Sequence, residues 1–468
     1  MKLIKQRLLA ATMLAIWLVA PHARGGITLT STVSFSSTNG IHPSAALVLG
    51  NDGNFYGTTE YGGVSGGYGT VFKMTPAGAL TTLVSFKNNN GAYPTAGLVQ
   101  NSDGNFYGAT SAGGTNGGFG TVFKMTPAGA LTTLFAFDST NGANPYGELV
   151  LDASGNLYGT TGYGGPYTDQ DANGLGYGTV FKITTNGTLT TLYAFTGGED
   201  GFYPLTGLVQ ASDGNFYGST AEADTFGDLP FGAGTIFRIT PDGAFTNLVS
   251  FNDINGANPQ APLVAGADGN LYGTTYSGGA AEAGTVFQMT PAGTLNTLVS
   301  FNNLNGANPY GALLQASDGN FYGTTELGGT NDYGTIFQVT PAGTLNSLLS
   351  FNYFSNGADP TAGLLLSSDG TFYGTTYSGG SRGGGTVFHL TVPMPPVFQK
   401  VTRTAGMLSF TWSTAPGQMY QVLFKTNWDQ PTWNSLGAPI IANSTMATAS
   451  DSTRQDPHRF YRIQMLPQ

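Results

Sequence analysis

The carboxylates best placed for acid–base work are Glu60, Glu148 and Glu326. Glu60 and Glu326 each follow a G-T-T stretch, and Glu148 replaces Ala or Gly at the rim of an innermost strand. Two such groups about 5–10 Å apart would suit glycoside hydrolysis. No arginine or histidine accompanies them, however, and His42, His389 and His458 are scattered along the chain. No Ser-His-Asp order or metal-ligand spacing emerges. The pattern therefore predicts exposed rim carboxylates and a protein without catalysis, with a glycosidase as the weaker alternative.

Two other groups suggest binding. Asp169, Asp171 and Asn173 alternate before Gly174, as the first ligands of a calcium loop do. Val180 occupies the position where an EF-hand requires a bidentate glutamate, so the choice is a looser calcium loop or a solvated acidic one. Tyr93, Tyr146, Tyr203 and Tyr310 lie beside prolines in loops rich in Asn and Gly. Tyrosine faces stack on sugar rings and amides bond hydroxyls, which predicts a glycan-binding face that includes Glu148. The alternative is that N-G-A-N-P is a turn whose residues satisfy the backbone.

These residues are carried by a unit that recurs seven times. Its tyrosine appears at Tyr56, Tyr107, Tyr158, Tyr217, Tyr272, Tyr322 and Tyr373, in steps of 51, 51, 59, 55, 50 and 51 residues. A D-G-N-F-Y-G-T-T turn and strand is followed by G-T-[VI]-F and then by a stretch such as T-L-V-S-F. Each unit reads as four strands, which in the second are 97–100, 105–110, 120–126 and 130–137. Gly57 and Gly69 and their repeats are expected to let neighbouring sheets approach. The chain begins with a lone third piece, 27–35, and its last unit, ending in 385–391, lacks one. Pairing the two closes a seven-bladed β-propeller and removes both exposed edges.

The units resemble the GloVer tandem repeat of bacterial surface and exported proteins over nearly all of 27–392, and more loosely NHL-type propeller repeats. The resemblance carries no catalytic residues to transfer. It implies work outside the cell, with a C-terminal module for sorting or anchoring.

The ends and the charge agree with export. Lys2, Lys5 and Arg7 precede an apolar run at 8–20, with Ala23 and Gly25 suited to cleavage, so 1–25 reads as a signal peptide. No later segment has the length and apolarity of a transmembrane anchor. Cysteine is absent, so stability must come from packing rather than crosslinks. Residues 26–393 hold 23 acidic and six basic side chains, a balance that repels nucleic acid. The expected partners are an extracellular polysaccharide or a surface protein, and the mature chain is expected to be secreted or surface-associated and monomeric.

After the propeller at 26–392, prolines in 393–397 mark a linker. Residues 398–468 then alternate as strands at 408–414, 419–425 and 459–465, with Trp412, Tyr420, Trp433 and Tyr461 as an aromatic core. This pattern resembles a small β-sandwich of the fibronectin-III type, and its alternative is a compact spacer.

Overall fold

The computed structural model describes residues 27–167, 175–223 and 232–392, then 396, 398–404, 406–414, 418–427, 429–444, 446–452 and 459–466. Every regular element among them is a β-strand. The chain divides into two compact units, Thr28–Ser367 with Thr371–Thr391, and Val392–Gln468 with Ser368–Gly370. The proposed signal peptide and most of the 393–397 linker lie outside the described residues.

The larger unit is propeller-like, a succession of four-stranded antiparallel sheets. The first sheet is Val48–Leu49, Phe55–Thr59, Thr70–Met74 and Leu80–Ser85. Five further sheets repeat that order. In the last, Leu365–Leu366, Phe372–Thr376 and Thr386–Thr391 are joined by Thr28–Ser34 from the other end of the unit. Thr28 pairs with Thr391 and Ser34 with Thr386.

Local chemistry explains the recurring residues. Gly53 takes φ 76°, which closes the hairpin before the second strand. The Asp52 carboxylate accepts the Asn54 amide at 3.1 Å and the Tyr56 hydroxyl at 2.8 Å. The buried tyrosine thereby finds a partner for its polar end. The same aspartate–tyrosine bond recurs in the next five sheets, as between Asp268 and Tyr272 at 2.9 Å. Each second strand also ends in a threonine bonded to its partner on the third. Thr59 and Thr70 are 2.7 Å apart, and Thr376 and Thr386 are 2.9 Å apart, all fully buried.

Glycines 57 and 69 do different jobs. Gly57 faces Phe72 across its own sheet, and an added methyl there would strike the Phe72 ring and Leu47. Its role is to admit a ring of its own sheet, not to bring two sheets together. Gly69, at φ 93°, does meet the neighbouring sheet, because a methyl would strike Pro94.

Aromatic pairs join successive sheets. Tyr56 lies 4.1 Å from Phe106, Tyr272 lies 4.0 Å from Phe321, and Phe86 lies 5.5 Å from Phe123 (centroid distances). The same contacts link the last sheet to the first. Tyr373 lies 4.2 Å from Phe55, and Phe35 lies 5.1 Å from Phe72.

In the smaller unit, one sheet contains Phe398–Thr404, Met407–Ser413 and Met446–Ser452, and the other is centred on Met419–Lys425 beside Phe460–Met465. Trp412, Tyr420 and Tyr461 are buried in its core. Trp433 is not. Its ring carries the Lys425 and Arg462 cations at 5.1 and 4.7 Å, so it serves as a half-exposed cation–π platform.

Candidate ligand-binding cavity

The cavity of the larger unit is built from the residues around seven prolines: 43, 94, 145, 204, 259, 309 and 360. The residue before each, His42, Tyr93, Asn144, Tyr203, Asn258, Asn308 or Asp359, has φ between 52° and 59°. Asparagine tolerates this left-handed region best, which accounts for three of the seven. In those three the side chain also clamps the preceding sheet. Asn144, Asn258 and Asn308 Nδ2 donate to the carbonyls of Ser111, Ala221 and Tyr276 at 2.8–3.0 Å. His42 Nδ1 makes the equivalent bond to the Tyr377 carbonyl at 2.9 Å, between the first sheet and the last.

The three residues after each proline then run past the cavity. The ladder strands begin only after them, so the innermost strand is Val99–Gln100 rather than the expected 97–100. The backbone of that stretch is held from the neighbouring sheet instead. Thr58 Oγ1 donates to the Ala96 carbonyl at 3.0 Å, Thr160 to Thr206 at 2.7 Å and Thr375 to Ala45 at 3.3 Å.

The result is a cavity of about 500 Å³. Tyr146, Tyr310, Glu148 and Gln260 reach it from the post-proline stretches. Glu60, Glu326 and Tyr377 reach it from the position after the G-T-T strand. That position is fixed by backbone bonds to the pre-proline residue. The Glu60 amide donates to His42 O and the Glu326 amide to Asn308 O, both at 3.0 Å.

The charged side chains of the cavity are all carboxylates. Burial alone raises the Glu148 carboxyl to about 7, and no hydrogen-bond donor offsets it. A methyl on Gly97 would overlap this carboxylate, so the glycine leaves it room against the preceding sheet. Burial also raises Glu326, partly countered by the nearby Tyr276 hydroxyl. The Tyr377 hydroxyl faces Glu60 and is held above its ordinary range, first by burial and then by that carboxylate. Tyr146 rises to about 12, mainly through burial, with Tyr163, Glu60 and Tyr310 close enough to add to it. The Tyr276 and Tyr310 rings meet edge to face at 6.1 Å.

Of the expected glycan-binding residues, Tyr146, Tyr310 and Glu148 therefore share one cavity, together with Glu60 and Glu326. Tyr93 and Tyr203 do not line it. They precede their prolines, and the left-handed backbone turns them toward Tyr61 and Tyr68, and toward Tyr163 and Phe202. Asp169, Asp171 and Asn173 lie outside the described residues. Sequence reasoning passed over Tyr377, Tyr276 and Gln260. Tyr276 and Tyr377 occupy the same place after G-T-T as Glu60 and Glu326, so aligning the units by that position would have found them.

The profile of the Gloeobacter/Verrucomicrobia repeat matches residues 19–228 and 284–400. The chain belongs to this family. The matched residues include most of the sheets and most of the cavity-lining stretches described above. A search among curated proteins finds no match. Among solved structures, the chain is similar to PorZ, a surface component of the type-IX secretion system of Porphyromonas gingivalis. The identity is 11% and the TM-score 0.50, over 93% of this chain and 61% of that one. It is also similar to the extracellular domain of a hybrid two-component system protein of B. thetaiotaomicron, at 12% identity and TM-score 0.48, over 94% of this chain and 57% of that one. The chain thus spans less than two thirds of the length of either. The periplasmic gluconolactonase of Pseudomonas aeruginosa is similar at 16% identity and TM-score 0.42, over 82% of this chain and 96% of that one. At these identities the likeness concerns the propeller-like fold alone. No helix among the described residues is long and apolar enough to cross a membrane.

Proposed function

We propose that this chain is an exported, non-catalytic binding module whose seven blades, closed by the N-terminal strand, surround a saccharide site. The observation that carries the reading is the cavity itself. Tyrosines and carboxylates from different sheets converge there, and two of the carboxylates, Glu60 and Glu326, face tyrosine hydroxyls of neighbouring sheets. Tyrosine faces pack against the apolar face of a sugar ring, and carboxylates and Gln260 bond its hydroxyls. Closure of the ring is supported by the Thr28–Ser34 pairing with Thr386–Thr391 and by the Phe35–Phe72 and Tyr373–Phe55 contacts. Export rests on the 1–25 signal pattern and the family. The 398–468 unit acts as the attached module, of fibronectin-III type in its strand pattern.

The test is the melting temperature of residues 26–468 with a panel of soluble neutral and charged oligosaccharides, with and without calcium. A ligand at 100 times its Kd adds about 2.7 kcal/mol. A shift with one saccharide class, lost in Tyr146→Ala, supports the reading. A flat panel transfers the function to protein partners, and release of shortened sugar would make Glu148 the acid of a hydrolase.

A further inference from the structure

Resting on the cavity reading above, we propose that the site is built for a saccharide carrying a free ammonium group, an amino sugar rather than a neutral one. The lining contains Glu60, Glu148 and Glu326 and no lysine, arginine or histidine. The segments 168–174 and 224–231, outside the described residues, add four aspartates and no basic residue to the sequence. A cavity of this kind inside a strongly acidic body focuses a negative potential and concentrates cations.

The three carboxylates are not equivalent. Glu60 faces the Tyr377 hydroxyl and Glu326 the Tyr276 hydroxyl, from neighbouring sheets. Glu148 receives no donor from the described residues, and its carboxylate packs against Gly97 while staying half-buried and open to the cavity. A carboxylate that faces the cavity without a protein donor is left for a ligand to satisfy, and a charge-assisted bond from an ammonium group is the strongest way to do so. Tyr146 stands two residues away on the same stretch, so its ring can take the sugar face or the cation while Glu148 takes the amine. Glu60, Glu148 and Glu326 do not converge as a set of metal ligands would, which fits a ligand spread along the cavity.

Isothermal titration of residues 26–468 with a β-linked glucosamine trisaccharide and its fully N-acetylated counterpart at pH 6.5 tests this. Both probes share a carbon skeleton, and only one is charged. The proposal expects the free amine to bind at least about tenfold more tightly, and expects Glu148→Gln to abolish that preference. Equal binding of both probes, unaltered by Glu148→Gln, overturns the ammonium assignment and leaves the saccharide cavity standing. Binding of neutral glucans but neither probe has the same meaning. If no saccharide of any charge binds, the cavity reading falls with it. Circular dichroism and melting of Glu148→Gln confirm that the variant compared is folded.

Discussion

Replacing Glu148 by glutamine isolates the price of one half-buried carboxylate. The carboxyl titrates at about 7 in the folded chain, against an ordinary 4.5, because burial penalises its charged form. A folded-state value above the unfolded one means that stability present at low pH is lost as pH rises through the folded value. Each unit corresponds to about 1.36 kcal/mol, so the full loss is about 3 kcal/mol, and waters in the cavity lower it from there. Glutamine keeps the shape and cannot ionise. The variant should match the parent near pH 4.5 and exceed it by up to about 3 kcal/mol at pH 8. For a unit of about 360 residues, with an unfolding entropy of about 2.1 cal/mol/K per residue, this amounts to about 4 °C. Differential scanning calorimetry of both proteins from pH 4.5 to 8.5 measures it. A variant that melts at or below the parent at pH 8 would show that Glu148 is solvated or paired, and would refute the reasoning.

Other substitutions follow from the packing. Phe35→Ala empties a fully buried site against Phe72 and should cost about 3–5 kcal/mol, seen as a lower denaturation midpoint. Gly273→Ala drives a methyl into Phe287 and Leu263 and should cost about 1–3 kcal/mol, whereas Gly269→Ala meets nothing in space and reports only the strain of its φ of 81°. In the smaller unit Asp451 accepts Arg459 Nη1 at 2.6 Å and the Tyr461 hydroxyl at 2.7 Å while nearly buried. Asp451→Ala removes the acceptor of both groups and should cost about 3 kcal/mol. Apart from Trp17, the tryptophans are 412, 428 and 433, so their fluorescence follows this unit selectively.

The sheets were legible because each recurring residue has a local task that repeats with it. Asp52 needs Tyr56, Thr59 needs Thr70, and Gly57 needs Phe72, so spacing alone betrays the strands. The cavity was legible where a residue broke the repeat by charge, as Glu60, Glu148 and Glu326 do, and through the proline-adjacent Tyr146 and Tyr310. Tyr93 and Tyr310 look alike in sequence because both adjoin a proline. Which side of the proline they occupy decides their fate, since the preceding residue is left-handed and the following one enters the cavity. Tyr377 and Tyr276 were hidden because a tyrosine after a β-strand is unremarkable until a glutamate from the next sheet faces it. Trp433 misled through its apolarity, because the cations that cover its ring come from strands distant in sequence or position.

The claim on which the cavity depends is that the N-terminal strand closes the ring of blades. Its most direct test is the thermal unfolding of a chain lacking residues 27–35 beside that of residues 26–468. The truncated protein would lose the Thr28–Ser34 ladder and the Phe35 packing together, and the account predicts that it loses cooperative unfolding or melts many degrees lower. A truncated chain that melts cooperatively within a degree of its parent would contradict closure, and with it the cavity as a built site.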